Sequence, residues 1–221
     1  MRNEKTIPAI ECIIFNCDTV LLNIETIIIS ALLDKAEEYG LNIELDEAIW
    51  LFSEKGTDQN IIYLKSLFGA NVPDNFEEEL RKKIAEELRY GIAPKEGVNE
   101  MMQQLKKPLC IVTNASRESI ERNLEVTNLF KFFASGQIFA ICEMVSWNSD
   151  TELYLHIASN MGYKPEQCVI IVDSIAGIND RIKDGFNVYA ITNGFNKKEM
   201  EDIGAVVFEE IKDLPKLLPI V

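Results

Sequence analysis

Three short polar clusters stand out in a chain otherwise rich in apolar runs: Asn16-Cys17-Asp18-Thr19, Thr113-Asn114-Ala115-Ser116 and Asp173-Ser174. A carboxylate so placed can move a proton or hold a cation. A hydroxyl or an amide can donate to an oxyanion, and a thiol can attack an electrophile. Taken singly, each cluster has a plainer explanation, because Asp, Asn, Ser and Thr are the usual helix caps and turn formers. Three clusters, each directly after an apolar run, are harder to assign to turns alone.

The runs before them are Ile10 to Phe15, Leu109 to Val112 and Val169 to Val172. Two more follow at Val188 to Ile191 and Ala205 to Phe208. None alternates in and out, which is the pattern of strands covered on both faces. Helical stretches separate the runs, so the expected fold class is α/β, a doubly wound parallel sheet with right-handed crossovers. Ligands of such sheets sit beyond the carboxyl ends of the strands. That places the three clusters on one rim.

Between the first and second runs lie roughly ninety residues with helical patterning only. The candidate helices are Ile24 to Tyr39, Asp46 to Ser53, Asp58 to Phe68 and Asn75 to Tyr90. Ile24, Ile27, Ile28, Ala31, Leu32, Ala36 and Tyr39 share one face, and Gly40 is placed to end that helix. Phe76, Leu80, Ile84 and Leu88 form a second stripe after the start signals Pro73 and Asp74. A single crossover helix needs only about a dozen residues. Residues 20–92 are therefore expected to be a helical module inserted into a core of residues 1–19 and 93–221.

Composition narrows the function classes. The chain has 36 acidic and 22 basic residues, a net charge of −14. That balance opposes nucleic-acid binding, though a local cationic pocket could still operate at physiological screening. No apolar run approaches the roughly 20 residues that span a bilayer, and no signal peptide is evident, so a cytoplasmic location without a membrane partner is expected. The cysteines Cys12, Cys17, Cys110, Cys142 and Cys168 are widely spaced, with no CxxC pair, and read as reduced core thiols. There is no GxGxxG or GxxxxGK[ST] phosphate loop. His156, the only histidine, reads as a packing or partly exposed residue and not as a metal ligand. Trp147 could line a pocket or anchor a core. Glu77, Glu78, Glu79, Arg81, Lys82 and Lys83 read as a solvated helix face.

The clusters resemble the motifs of the haloacid dehalogenase (HAD) phosphatases. Their first motif is an apolar strand ending in Asp-x-Asp-Gly-Thr-Leu/Val, and here Phe15-Asn16-Cys17-Asp18-Thr19-Val20-Leu21 stands in its place. Their second is an apolar strand ending in Ser or Thr, matched by Cys110-Ile111-Val112-Thr113-Asn114. Their fourth is matched in part by Val172-Asp173-Ser174-Ile175-Ala176-Gly177. The similarity extends over nearly the whole chain and is greatest to phosphatases of sugar phosphates, the phosphoglycolate, 6-phosphogluconate and β-phosphoglucomutase relatives. It implies a Rossmann-like core with an inserted helical cap.

The resemblance also implies roles. Asn16 takes the position of the nucleophilic aspartate and of a metal ligand, as a weak one. Asp18 takes that of the general acid/base, with its backbone carbonyl on Mg²⁺. Thr113 holds a phosphate oxygen, with Asn114 beside it as a substrate contact, and Asp173 ligates the metal. Lys55, in the helical module, contacts substrate. Thr19 stands in place of the first motif's glycine, and three positions with chemical roles also depart from the pattern. A neutral amide at Asn16 is a poor nucleophile and a weaker Mg²⁺ ligand than a carboxylate. Asn148 replaces the lysine that neutralises phosphate and nucleophile, and Val172 replaces an acid that supports the metal shell. Cys17, between Asn16 and Asp18, is expected to turn away from the site.

Loss of a nucleophile can cost about 10⁶ in kcat, or roughly 8 kcal/mol at about 1.4 kcal/mol per decade. The expected protein is a pseudoenzyme that binds phosphate or a small phosphorylated metabolite, with Mg²⁺ binding possible but weakened. Two alternatives stay open. One is a Mg²⁺-dependent sugar-phosphate phosphatase of low activity, and the other is a non-catalytic interaction module presenting the helical insert.

Overall fold

The computed structural model describes residues 9–16, 18–53, 56–69, 72–134, 136–143, 150–192, 194 and 196–218, with the backbone alone at 150 and 151. Cys17, Lys55, Trp147 and Asn148 lie outside the described residues. Among the described residues, six strands form one parallel sheet: β1 (Cys12–Asn16), β2 (Leu109–Thr113), β3 (Ile138–Ala140), β4 (Cys168–Val172), β5 (Asn187–Ile191) and β6 (Val206–Phe208). The order across the sheet is β3-β2-β1-β4-β5-β6. All neighbouring pairs are parallel.

The central strand is β1, flanked by β2 and β4 with Phe15 opposite Ile111 and Ile171. It is central because Cys12, Ile13, Ile14 and Phe15 are all fully buried. Each large apolar side chain so covered is worth roughly 1.5–3 kcal/mol. The order reverses direction at β1, which makes its carboxyl end the natural ligand position of such a sheet. Strand β3, only three residues long and at the sheet edge, has no counterpart among the apolar runs of the sequence.

Contacts divide the chain into two compact units. One comprises Met1–Leu21 with Pro94–Val221, and the other Leu22–Ala93. The second is helical: α1 (Ile24–Glu38), α2 (Leu45–Phe52), α3 (Thr57–Phe68) and α4 (Phe76–Gly91). Its own core gathers Ile29, Leu32 and Ala36 of α1, Phe52 of α2, Leu64 of α3 and Phe76, Leu80 and Ile84 of α4. Gly40, at φ +78°, carries the turn after α1 in the left-handed region, as expected of a residue just past a helix end. Lys35, nearly buried, joins α1 to α4 through Glu79 at 2.9 Å. The Asn23 amide spans the unit's two chain ends, accepting from the Ala93 N–H at 2.8 Å and donating to the Gly91 carbonyl at 3.3 Å.

The sheet unit adds α5 (Val98–Gln104), α6 (Arg117–Val126), α7 (Asp150–Asn160), α8 (Ile178–Lys183), α9 (Lys197–Ile203) and α10 (Leu214–Leu217). No helix among the described residues is long and apolar enough to cross a membrane. Of the thiols, Cys12, Cys110 and Cys168 are free and buried, but Cys142 is exposed. This corrects the reading of Cys142 as a core residue. It lies just past the short edge strand, where the sheet no longer covers it, and its thiol donates to the Ala115 carbonyl at 3.7 Å.

Candidate functional site

The rim at the carboxyl end of the sheet is built from the last residues of β1, β2 and β4. Asn16 ends β1 opposite Val112, the residue before Thr113. The chain then turns at once into a short 3-10 turn over Asp18–Val20, closed by the Leu21 N–H donating to the Asp18 carbonyl at 3.1 Å. That turn tucks the Asp18 side chain inward, leaving the residue 7% exposed.

Thr113, 1% exposed at the end of β2, donates its hydroxyl to Asp18 Oδ1 at 2.5 Å. The Thr113 hydroxyl oxygen also accepts from the Ala115 N–H at 3.0 Å. This one hydroxyl therefore fixes both the carboxylate and the loop leading to α6, which Ser116 caps by accepting from the Ser119 N–H at 3.3 Å. Asn114 is exposed between them. Asp173 follows fully buried Val172 at the end of β4 and is partly exposed. Two of the expected site residues, Asp18 and Thr113, are thus in direct contact. Lys55 and Asn148 lie outside the described residues.

Two residues escaped the sequence reading of the site. Tyr154 of α7, 2% exposed, donates its hydroxyl to Asn16 Oδ1 at 2.5 Å. The guanidinium of Arg181 lies over the Tyr154 ring, 4.4 Å from its centroid, while Phe186 meets that ring edge-on at 6.5 Å. Arg181 belongs to α8, is 6% exposed, and donates from one terminal nitrogen to the Ala176 carbonyl at 2.9 Å. Gly177 makes room for it. A Cβ there would stand 1.9 Å from that nitrogen, and its φ of +76° also disfavours any side chain. The available signal was position: Arg181 falls three residues after buried Ile178, on the same helical face. Arg117, partly exposed at the start of α6, is held by Glu143 at 2.9 Å. His156 meets Asn160 at 2.7 Å, one turn along α7.

Mg²⁺ prefers near-octahedral oxygen ligands that include one or two carboxylates. Of the expected donors, Asp173 is a carboxylate at the end of β4, the Asp18 carbonyl and Asn16 Oδ1 are neutral oxygens that each already accept one hydrogen bond, and Val172 offers nothing. Among the described residues no three His, Cys, Asp or Glu side chains stand close enough to hold a metal ion. One carboxylate and two neutral oxygens make a weak donor set for Mg²⁺. A separate hollow of about 560 Å³ on the helical unit, lined by Thr26, Ile27, Ser30, Glu86, Glu87 and Tyr90, carries acids but no basic residue. It offers a phosphate group no counter-charge.

Residues 13–191 match the family model described as haloacid dehalogenase-like hydrolase. The chain is 25% identical over 211 residues to the 6-phosphogluconate phosphatase of Escherichia coli, covering 94% of each chain. It is 24% identical over 219 residues to the phosphorylated carbohydrates phosphatase of Thermotoga maritima, covering 94% of this chain and 98% of that one. Among solved structures, a HAD-family hydrolase of Deinococcus radiodurans with bound phosphate and sodium superposes with a TM-score of 0.80. That pair shares 23% identity, over 96% of this chain and 99% of the other.

Proposed function

The chain belongs to the haloacid dehalogenase-like hydrolases, and on that premise we propose that it binds phosphate or a small phosphorylated metabolite at the β1 rim without turning it over at the family's rate. One observation carries this reading. The residue at the end of β1 is a neutral amide whose oxygen is already occupied by the Tyr154 hydroxyl. A carboxamide cannot supply the electron pair that an aspartate uses to attack phosphorus. Binding is supported by what remains: the Thr113–Asp18 pair is assembled and buried, and the two curated relatives are named for phosphorylated substrates.

Those same names favour a second reading, a sugar-phosphate phosphatase of low, Mg²⁺-dependent activity acting through Asp18. Restoration separates the two. The variant Asn16→Asp with Asn148→Lys should gain phosphatase activity on a panel of sugar phosphates, while the unaltered chain stays silent. Val172 is left alone because it is fully buried in the core with Ile170 and Ile178, where a carboxylate would be strongly destabilising. Metal-stimulated phosphate release by the purified unaltered chain, abolished by Asp18→Ala, would establish the second reading instead.

A further inference from the structure

We infer that Asn16 serves as a hydrogen-bond donor to an oxyanion, set in that orientation by a buried Arg181–Tyr154 pair, so that this rim takes phosphate-type ligands without a divalent cation. The inference rests on the proposed function and deepens it. It begins with the phenol. A cation over an aromatic face draws density from the ring, which makes the Tyr154 hydroxyl a better donor and a poorer acceptor. Its partner is Asn16 Oδ1. A carboxamide has one acceptor oxygen and one NH₂ group with two donors. With the oxygen committed to Tyr154, the NH₂ points away from that residue, and it has no partner among the described residues. The half-exposed amide therefore presents two donors at the rim, against one lone pair left on an oxygen that already accepts from Tyr154. An oxyanion can use both donors, whereas a divalent cation meets only a neutral oxygen that already accepts a hydrogen bond.

Arg181 supplies a second, independent observation. It is buried, it makes no ion pair with any described carboxylate, and its Nε has no hydrogen-bond partner. A buried cation without a counter-charge is costly. One aromatic ring separates it from Asn16, so an anion bound at the amide would lie within its field and offset that cost. An aspartate at position 16 would place its own negative charge there, and an incoming phosphate would then need a metal between them.

The test is calorimetric titration of the full chain with inorganic orthophosphate, once in EDTA and once in excess Mg²⁺. It is paired with nitrogen-15 spectra of the Asn16 side-chain NH₂. Equal affinity in both buffers, within about twofold, is expected, with the NH₂ signal moving on phosphate addition. Tyr154→Phe, which removes only the hydroxyl, should weaken binding about tenfold, the lower end for a hydrogen bond to a charged group. Asn16→Asp should make binding depend on Mg²⁺. A Mg²⁺ requirement in the unaltered chain would overturn this inference and leave the proposed function standing. No binding in either buffer would overturn the proposed function itself. A folded Tyr154→Phe chain that binds as tightly as the parent would also overturn the inference. Should that variant not fold, an Asn16 NH₂ signal unmoved by bound phosphate does the same.

Discussion

Replacing Thr113 with valine keeps the shape of the side chain and removes its only polar atom. In the folded chain that atom donates to Asp18 Oδ1 at 2.5 Å and accepts from the Ala115 N–H at 3.0 Å. The first bond, to a carboxylate, is worth about 1.5–3 kcal/mol, and leaving a partly buried N–H without an acceptor costs about 1 kcal/mol more. Thr113→Val should therefore destabilise the chain by about 2.5–4 kcal/mol. At roughly 2–4 °C per kcal/mol for a protein of this size, the melting temperature should fall about 5–15 °C. Thr113→Ser keeps the hydroxyl and loses only a methyl, so it should recover most of the loss. A double-mutant cycle with Asp18→Ala, measured by urea unfolding, isolates the shared bond and should give a coupling of about 1.5 kcal/mol or more. A coupling under about 0.5 kcal/mol, the level at which independent sites add, would refute the claim that this hydroxyl organises the rim.

Two further outcomes are expected. Gly177→Ala should cost at least about 2 kcal/mol in urea unfolding, because it forces an L side chain into the left-handed region and drives its Cβ into the Arg181 guanidinium. Combining it with Arg181→Ala should relieve part of that cost, and strictly additive losses would count against the packing described. Of the four described thiols, Cys142 should react first with a thiol reagent in the native chain, and peptide mapping of the labelled protein would show it. The Cys110 thiol and burial push Cys12 from 9.0 up to about 12, and its hydrogen bond with Cys12 and burial push Cys168 up as well. Both therefore stay protonated at pH 8, where a thiolate is needed for reaction. In unfolded chains they ionise near 9, so their contribution to stability is intact below that pH; the part due to Cys12 is lost between about pH 9 and 12, and the part due to Cys168 declines from about pH 9 upward.

Much of the fold was legible in the sequence because burial on both faces writes itself as uninterrupted apolar runs. β1, β2, β4, β5 and β6 each coincide with one such run to within a residue or two. β3 left no such trace: three residues are too few for any periodicity to register. The helices of the inserted unit were readable from their stripes, and Ile27, Ala31 and Leu32 are indeed buried. The rim was readable only as separate clusters. That Thr113 reaches Asp18 follows from the register of β1 on β2, which no local pattern encodes. The Arg181–Tyr154–Asn16 chain was invisible for a further reason. Its members come from three distant segments, and Arg181 sits in Asn179-Asp180-Arg181-Ile182-Lys183, a stretch whose composition is that of a solvated helix.

The backbone bond from the Lys95 N–H to the Leu21 carbonyl, at 2.9 Å, has a consequence for how such a chain can change. From the standpoint of β1, everything between those two residues is a loop already tied off at its neck. Lengthening a closed loop costs only about 0.6 kcal/mol per doubling, so the segment can grow, shrink or be rewritten while the strand feels almost nothing. Divergence can then accumulate in the intervening helices at a pace set by their own small core, with the sheet as a bystander.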